Sequence, residues 1–157
     1  MHHPSLTSEG FLLRGEVFVK RRDARRQALN FVYESDLRGR SILETLVEAE
    51  EADPYARDIA EGIDAHDSEL DSLIAEQSAH WDMDRMSLVD RSIIRIGAWE
   101  IVFTGLSAAI AIDEAVELAK EFGGPSSGKF VNGILAAVAE KVSRRGLEEP
   151  AERDPSG

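Results

Sequence analysis

The sequence predicts an all-α fold, and three observations carry that prediction. Apolar residues recur at helical spacing, as in Val131, Ile134, Leu135, Val138 and Val142, which fall on one face of a helix. Helix starts are marked by their chemistry: Ser41 with Glu44 and Ser87 with Asp90 fit capping boxes, and Asp53 before Pro54 fits an N-cap followed by proline in the first turn. No stretch alternates apolar and polar residues as a half-buried strand would.

From the N-terminus, Met1 to Lys20 shows no such period and is expected to fray as a disordered extension. About seven helices follow. They are expected over Arg22 to Leu37, Ile42 to Glu51, Pro54 to Ala65, Ser68 to Ala79, Leu88 to Phe103, Ala108 to Phe122 and Ser127 to Ser143. The breaks are assigned to Gly39, Pro54, Gly105 and the glycine-rich run Gly123 to Gly128. The run Ile93 to Val102 is apolar on nearly every side, as in a central helix surrounded by others. The acidic tail, Gly146 to Gly157, is expected to be disordered.

A chain of 157 residues is one domain's worth, with no room for a second catalytic domain. No run approaches the roughly eighteen uninterrupted apolar residues of a membrane span. The segment FLLRGEVFV is interrupted by Arg14 and Glu16, which argues against a signal peptide, so a cytoplasmic location is expected. Cysteine is absent, which excludes disulfides, thiolate metal sites and a cysteine nucleophile.

The net charge of −12 is unevenly spread. Residues 1 to 33 carry six basic and three acidic groups, whereas Glu34 to Asp90 carry four basic and seventeen acidic ones. A basic start beside an acidic middle points to two different partners, although a solvated acidic surface accounts for most of the carboxylates.

The first helix gives this asymmetry a geometry. At 100° per residue, Ala24, Ala28, Phe31 and Ser35 share one side, which is expected to pack. Arg22, Arg26, Leu29, Tyr33 and Leu37 run along the opposite side, so one stripe passes from guanidinium to aromatic and aliphatic. Arginine suits phosphate and base edges, and an exposed Tyr and Leu suit a protein partner. A charged start followed by a second apolar seam accounts for the same pattern equally well.

Other motifs have plain structural readings. GGPSSGK at Gly123 to Lys129 matches the start of a P-loop, but Phe130 stands where a magnesium-binding hydroxyl is required, and helical spacing precedes it. A glycine-rich hinge followed by a serine N-cap fits better. His2, His3, His66 and His80 lack paired metal-ligand spacing, and His66 with Asp67 reads as a helix boundary with Asp67 as N-cap. Asp113, Glu114 and Glu117 sit in opening helical turns, where the dipole favours negative charge. Hence no catalytic residue, metal site or cofactor is assigned, and no enzymatic activity is expected. Gly133 reads as a point of close helix approach and Asn132 as a buried amide bonded to backbone. Lys129 and Phe130 lie beside the glycine-rich turn and could offer a cation and a stacking ring to an unpaired base, or Phe130 could be a core aromatic.

Three separated motifs, RRDARRQALNFVY at Arg21 to Tyr33, AIDEAVELAK at Ala111 to Lys120 and FVNGIL at Phe130 to Leu135, stand in an order that resembles the NusB family of bacterial transcription antitermination factors. The resemblance spans roughly Arg21 to Val142. It implies an N-terminal helical subdomain of about 21–80 packed on a C-terminal one of about 81–145, without catalytic activity. It also implies pairing with the ribosomal protein NusE, binding to single-stranded boxA RNA of ribosomal RNA operons, and entry into an RNA polymerase antitermination complex. On that basis Arg21, Arg22, Arg25 and Arg26 correspond to a basic RNA-binding start, with Lys129 and Phe130 as a second RNA contact. Tyr33, Leu37, Asp84 and Asp90 correspond to positions that face NusE. Ser107 replaces a proline usual in the family, and Asp113 stands where asparagine is common. The resemblance leaves the free state open between a monomer and a homodimer. A helical protein-binding adaptor with solvated arginines is the alternative, and an RNA methyltransferase is disfavoured because the chain carries no cofactor-binding domain and no cysteine.

Overall fold

A computed structural model describes the backbone over residues 6–78 and 86–148, and side chains over 20–78 and 86–146. Seven helices make up the described residues: α1 (Leu6–Arg38), α2 (Ile42–Glu48), α3 (Pro54–Ala65), α4 (Asp67–Gln77), α5 (Leu88–Phe103), α6 (Ala108–Phe122) and α7 (Ser127–Glu148). Helices α1, α2 and α3 pack on one another, as do α5, α6 and α7. Helix α5 also meets α1, α3 and α4, and is the axis of the molecule.

Local chemistry fixes three of the helix starts. The Ser41 hydroxyl accepts from Glu44 N–H at 3.1 Å, the Asp53 carboxylate from Tyr55 N–H at 2.8 Å, and the Ser87 hydroxyl from Asp90 N–H at 3.0 Å. Gly39 and Gly105, at φ +64° and +75°, turn the chain after α1 and α5 in a backbone region that side chains disfavour.

Helix α1 departs from expectation at its start, being helical from Leu6 rather than Arg22. No proline follows Pro4 until Pro54, and Leu12, Leu13, Arg14, Glu16 and Lys20 are good helix formers. Once the packed turns from Ala24 onward exist, each residue added ahead of them gains a backbone bond without a new nucleus. Helix α4 begins at Asp67 with His66 at the cap position and no side-chain cap bond, so Asp67 is the first helical residue and not the cap.

The core joins Val32 of α1, Ile59 and Ile63 of α3, Leu70 and Ile74 of α4, Ile93, Ile94 and Ile96 of α5, and Val131, Leu135 and Val138 of α7. Two glycines permit the closest approaches. A Cβ on Gly62 would fall on the Trp99 indole, and one on Gly97 would stand 2.5 Å from a Leu135 methyl. Helix α5 is not wholly apolar, because Arg95 and Glu100 lie buried within it. Both are paired, as burial requires.

Candidate nucleic-acid and partner interface

The packed face of α1 is Ala24, Arg25, Ala28, Leu29, Val32 and Ser35, rotated from the expected one. Leu29, expected on the outward stripe, is therefore core, and Phe31 is only half-buried. Arg21, Arg22, Arg26, Tyr33 and Leu37 retain exposed or half-exposed side chains, with Leu37 at 58%.

The four arginines of the basic start have different surroundings. Arg25 is 3% exposed, and its Nε and Nη2 donate to Glu100 at 2.9 to 3.1 Å. Its Nη1 stands 3.7 Å from Glu114, and Tyr55 donates its hydroxyl to Glu100 from α3. Burial works to lower the Arg25 pKa, but the hydrogen bond and charge of Glu100 outweigh it and hold the guanidinium above its ordinary value. Burial, then Glu100, pushes the Tyr55 phenol well above the usual tyrosine range. Arg25 is thus withdrawn from the surface expected to meet RNA, because a buried Glu100 needs a cation beside it. Arg21 lies over the Tyr55 ring, 4.4 Å from its centroid, so it caps this network from outside.

Arg22 and Arg26 remain accessible but tethered. Arg22 Nε donates to both Glu114 oxygens at 3.1 and 3.3 Å, its side chain 52% exposed against 8% for Glu114. Arg26 Nε donates to both Glu121 oxygens at 3.0 and 3.1 Å, and its Nη1 to Asp23 at 2.7 Å. The bond to Glu121 holds Arg26 above its ordinary pKa. Glu114, read from the sequence as a dipole-stabilising carboxylate, is in fact the counter-ion of two arginines on another helix.

Helix α6 meets these arginines through Glu114 and Glu121 and meets the start of α7 through Val116 and Lys120. A Cβ on Gly128 would lie 3.7 and 3.8 Å from those last two side chains. Lys129 is exposed there, and Phe130 is half-buried against the core. Asn132 and Gly133 are both exposed, and a Cβ on Gly133 would meet nothing within 4 Å, so neither the buried amide nor the close helix approach is present. In the glycine-rich turn, Ser127 is buried and its hydroxyl accepts from Gly124 N–H at 2.9 Å. The element before this turn is helix α6, not the strand a P-loop requires.

At the other end of α1, Asp36 accepts from Arg91 at 2.8 Å and from Arg95 at 3.0 Å. Arg95 also donates to Asp71 of α4 at 2.8 Å through Nε and Nη2. Asp36 and Arg91 are the chain neighbours of Leu37 and Asp90, and their ion pair ties the end of α1 to the start of α5. The Asp90 side chain does not complete the capping box reciprocally. Its Oδ1 is shielded from solvent and has no hydrogen-bond partner among the described residues. Asp84 lies outside the described residues. Among the described residues, no group of three or more His, Asp or Glu side chains is arranged to hold a metal ion, and no helix is long and apolar enough to cross a membrane.

Sequence reasoning missed Glu100, Glu121 and Arg95. The available signal was their charge within or beside apolar helices, since a carboxylate inside an otherwise buried helix demands a cationic partner elsewhere in the chain.

Comparison with known proteins agrees with this architecture. The sequence model of the NusB family matches residues 22–140. The transcription antitermination protein NusB of Clavibacter michiganensis is 44% identical over 130 residues, covering 76% of this chain and 95% of that protein. The NusB of Bacillus subtilis is 32% identical, with 80% and 99% covered. Among solved structures, T. maritima NusB superposes with a TM-score of 0.72 at 32% identity, over 82% of this chain and 96% of that one. A chain from the crystal structure of antitermination factors NusB and NusE in complex with double-stranded RNA superposes with a TM-score of 0.68 at 30% identity, over 78% and 97%.

Proposed function

The chain belongs to the NusB family, and on that premise we propose that it is a cytoplasmic RNA-binding antitermination factor that pairs with NusE and joins an RNA polymerase antitermination complex. Its RNA is the single-stranded boxA element of ribosomal RNA operons. The observation that carries the reading is the outward side of α1, where Arg21, Arg22 and Arg26 at one end give way to Tyr33 and Leu37 at the other. Guanidinium groups meet phosphates there, and Lys129 with the Phe130 ring adds a second contact. Arg25 supports this surface from beneath through Glu100. Tyr33, Leu37 and Asp90 face NusE, and Asp84 joins them on the strength of the sequence alone. The half-exposed Tyr33 and exposed Leu37, with the acidic Asp90 on α5, suit a partner with apolar and basic groups. The first helices through α4 form the N-terminal subdomain and α5 to α7 the C-terminal one.

The test is a titration of single-stranded boxA-like RNA with and without NusE, repeated across salt concentrations. Binding that strengthens with NusE and weakens with salt supports the reading, and salt-independent or absent binding overturns it. A protein-only adaptor is the second reading, favoured by the ion pairs that tie Arg22 and Arg26 to α6. It requires NusE binding with no RNA binding by the pair beyond that of NusE alone. Sedimentation of the free protein distinguishes a monomer from a homodimer.

A further inference from the structure

We propose that Glu121 occupies the place of an RNA phosphate on Arg26 in the free protein and sets RNA affinity by competing for that guanidinium. The inference rests on the reading that the arginine start of α1 meets RNA. It concerns a residue on another helix, ninety-five positions away in sequence.

A guanidinium grips phosphate best through one of its two-donor edges, the side edge of Nε and Nη2 or the end of Nη1 and Nη2. Arg22 gives only Nε to Glu114, so its end edge donates to no described residue. Glu114 is 8% exposed and lies 3.7 Å from Arg25 as well, which makes it a fixed support. Arg22 can receive phosphate without releasing its carboxylate.

Arg26 is arranged differently. Its Nε is taken by Glu121, which closes the side edge, and its Nη1 also gives a hydrogen to Asp23. A phosphate can take that side edge only when Glu121 lets go. Both members of the Arg26–Glu121 pair are well exposed, at 40% and 43%, and such pairs hold weakly in water. Glu121 is therefore strong enough to orient Arg26 and weak enough to be displaced by a polyanion. Displacement also has an ionic signature. A phosphate that takes Arg26 releases the RNA's counterion, but the freed Glu121 carboxylate gathers a cation, which offsets that release.

The test is a double-mutant cycle on the full chain, with a labelled single-stranded boxA-like RNA titrated at several salt concentrations. Glu121→Gln is expected to tighten binding about two- to fivefold and to steepen the slope of log K against log salt by up to about one. In an Arg26→Ala background the same substitution should change neither quantity. Equal tightening in both backgrounds would reduce the effect to loss of one negative charge and overturn the proposal. If Arg26→Ala weakens binding but Glu121→Gln does not tighten it, the competition fails while the RNA surface stands. If Arg26→Ala leaves the titration unchanged, the RNA surface itself fails, and the proposal with it.

Discussion

Arg25 of α1 and Glu100 of α5 form an ion pair sealed from solvent, with Nη2 to Oε2 at 2.9 Å and side chains 3% and 1% exposed. Removing one partner leaves the other charge buried, which commonly costs about 3 to 5 kcal/mol. Glu100→Gln is expected near the lower end because Glu114 still stands 3.7 Å from Arg25. Urea unfolding measures the loss. A change below about 1 kcal/mol would show that Glu114 alone suffices to neutralise Arg25.

The accessible arginines should behave in the opposite sense. Replacing both in Arg22→Ala with Arg26→Ala is expected to flatten the salt dependence of boxA-like RNA binding while helicity is retained. The Arg26–Glu121 pair lies in solvent, and the buried Glu114 keeps Arg25 at 3.7 Å when Arg22 is gone, so the melting temperature should change little. An unaltered salt slope in the double variant would remove these residues from the RNA surface.

Asp90→Lys separates a helix cap from a partner contact. The cap bond runs from the Asp90 backbone N–H to Ser87, so it survives the substitution, and an unfavourable helix-dipole interaction of about 0.3 to 1 kcal/mol is the expected stability cost. NusE binding should weaken by about 2 kcal/mol or more if the carboxylate meets a basic group there. Calorimetric titration against NusE alongside thermal unfolding distinguishes the two. Early melting with unimpaired NusE binding would move the partner surface elsewhere.

Two glycines make a contrasting pair. Gly62→Ala drives a methyl into Trp99 and should destabilise by about 1 to 3 kcal/mol through overpacking. Gly133→Ala meets open space on an exposed helix face and should stabilise by about 0.5 to 1 kcal/mol. Thermal melts of the two variants should shift in opposite directions.

Asp67 gives a dependence on pH. Burial, followed by repulsion from Asp71, raises its pKa, although it opens α4 where the dipole favours a negative charge. A raised carboxyl pKa favours the neutral form in the fold. Its contribution is full below the ordinary value of 3.8 and is lost as pH climbs through the raised one. Asp67→Asn should therefore melt above the parent at pH 7, with the difference shrinking as pH falls toward 4. A variant that melts lower at pH 7 would show that the dipole outweighs burial.

Helix bounds were legible where their determinants are local. Helices α3, α5 and α6 run over the residues their caps, glycines and apolar spacing indicate, because a cap is satisfied within three residues of itself. The start of α1 was not legible, since its propagation toward Leu6 depends on a packed segment downstream. Within the candidate site, the helical period put Arg22 and Arg26 on an outward side, and the family resemblance grouped Arg21 and Arg25 with them without setting Arg25 apart. Its burial is decided by Glu100, seventy-five residues away, and no periodicity within α1 encodes that distance. Leu29 followed the same logic, its side of the helix becoming interior once the neighbouring helices were in place.

Because α1 is one unbroken helix from the arginines to Leu37, the two ends of its outward side are mechanically a single part. Fifteen residues separate Arg22 from Leu37, about 22 Å of rise at 1.5 Å each. A nucleic acid held at one end and a protein held at the other would sit at a fixed offset and a fixed angular phase, with no hinge between them. A single residue gained or lost along that span would swing one docking end by about 100° relative to the other while leaving every individual contact group intact.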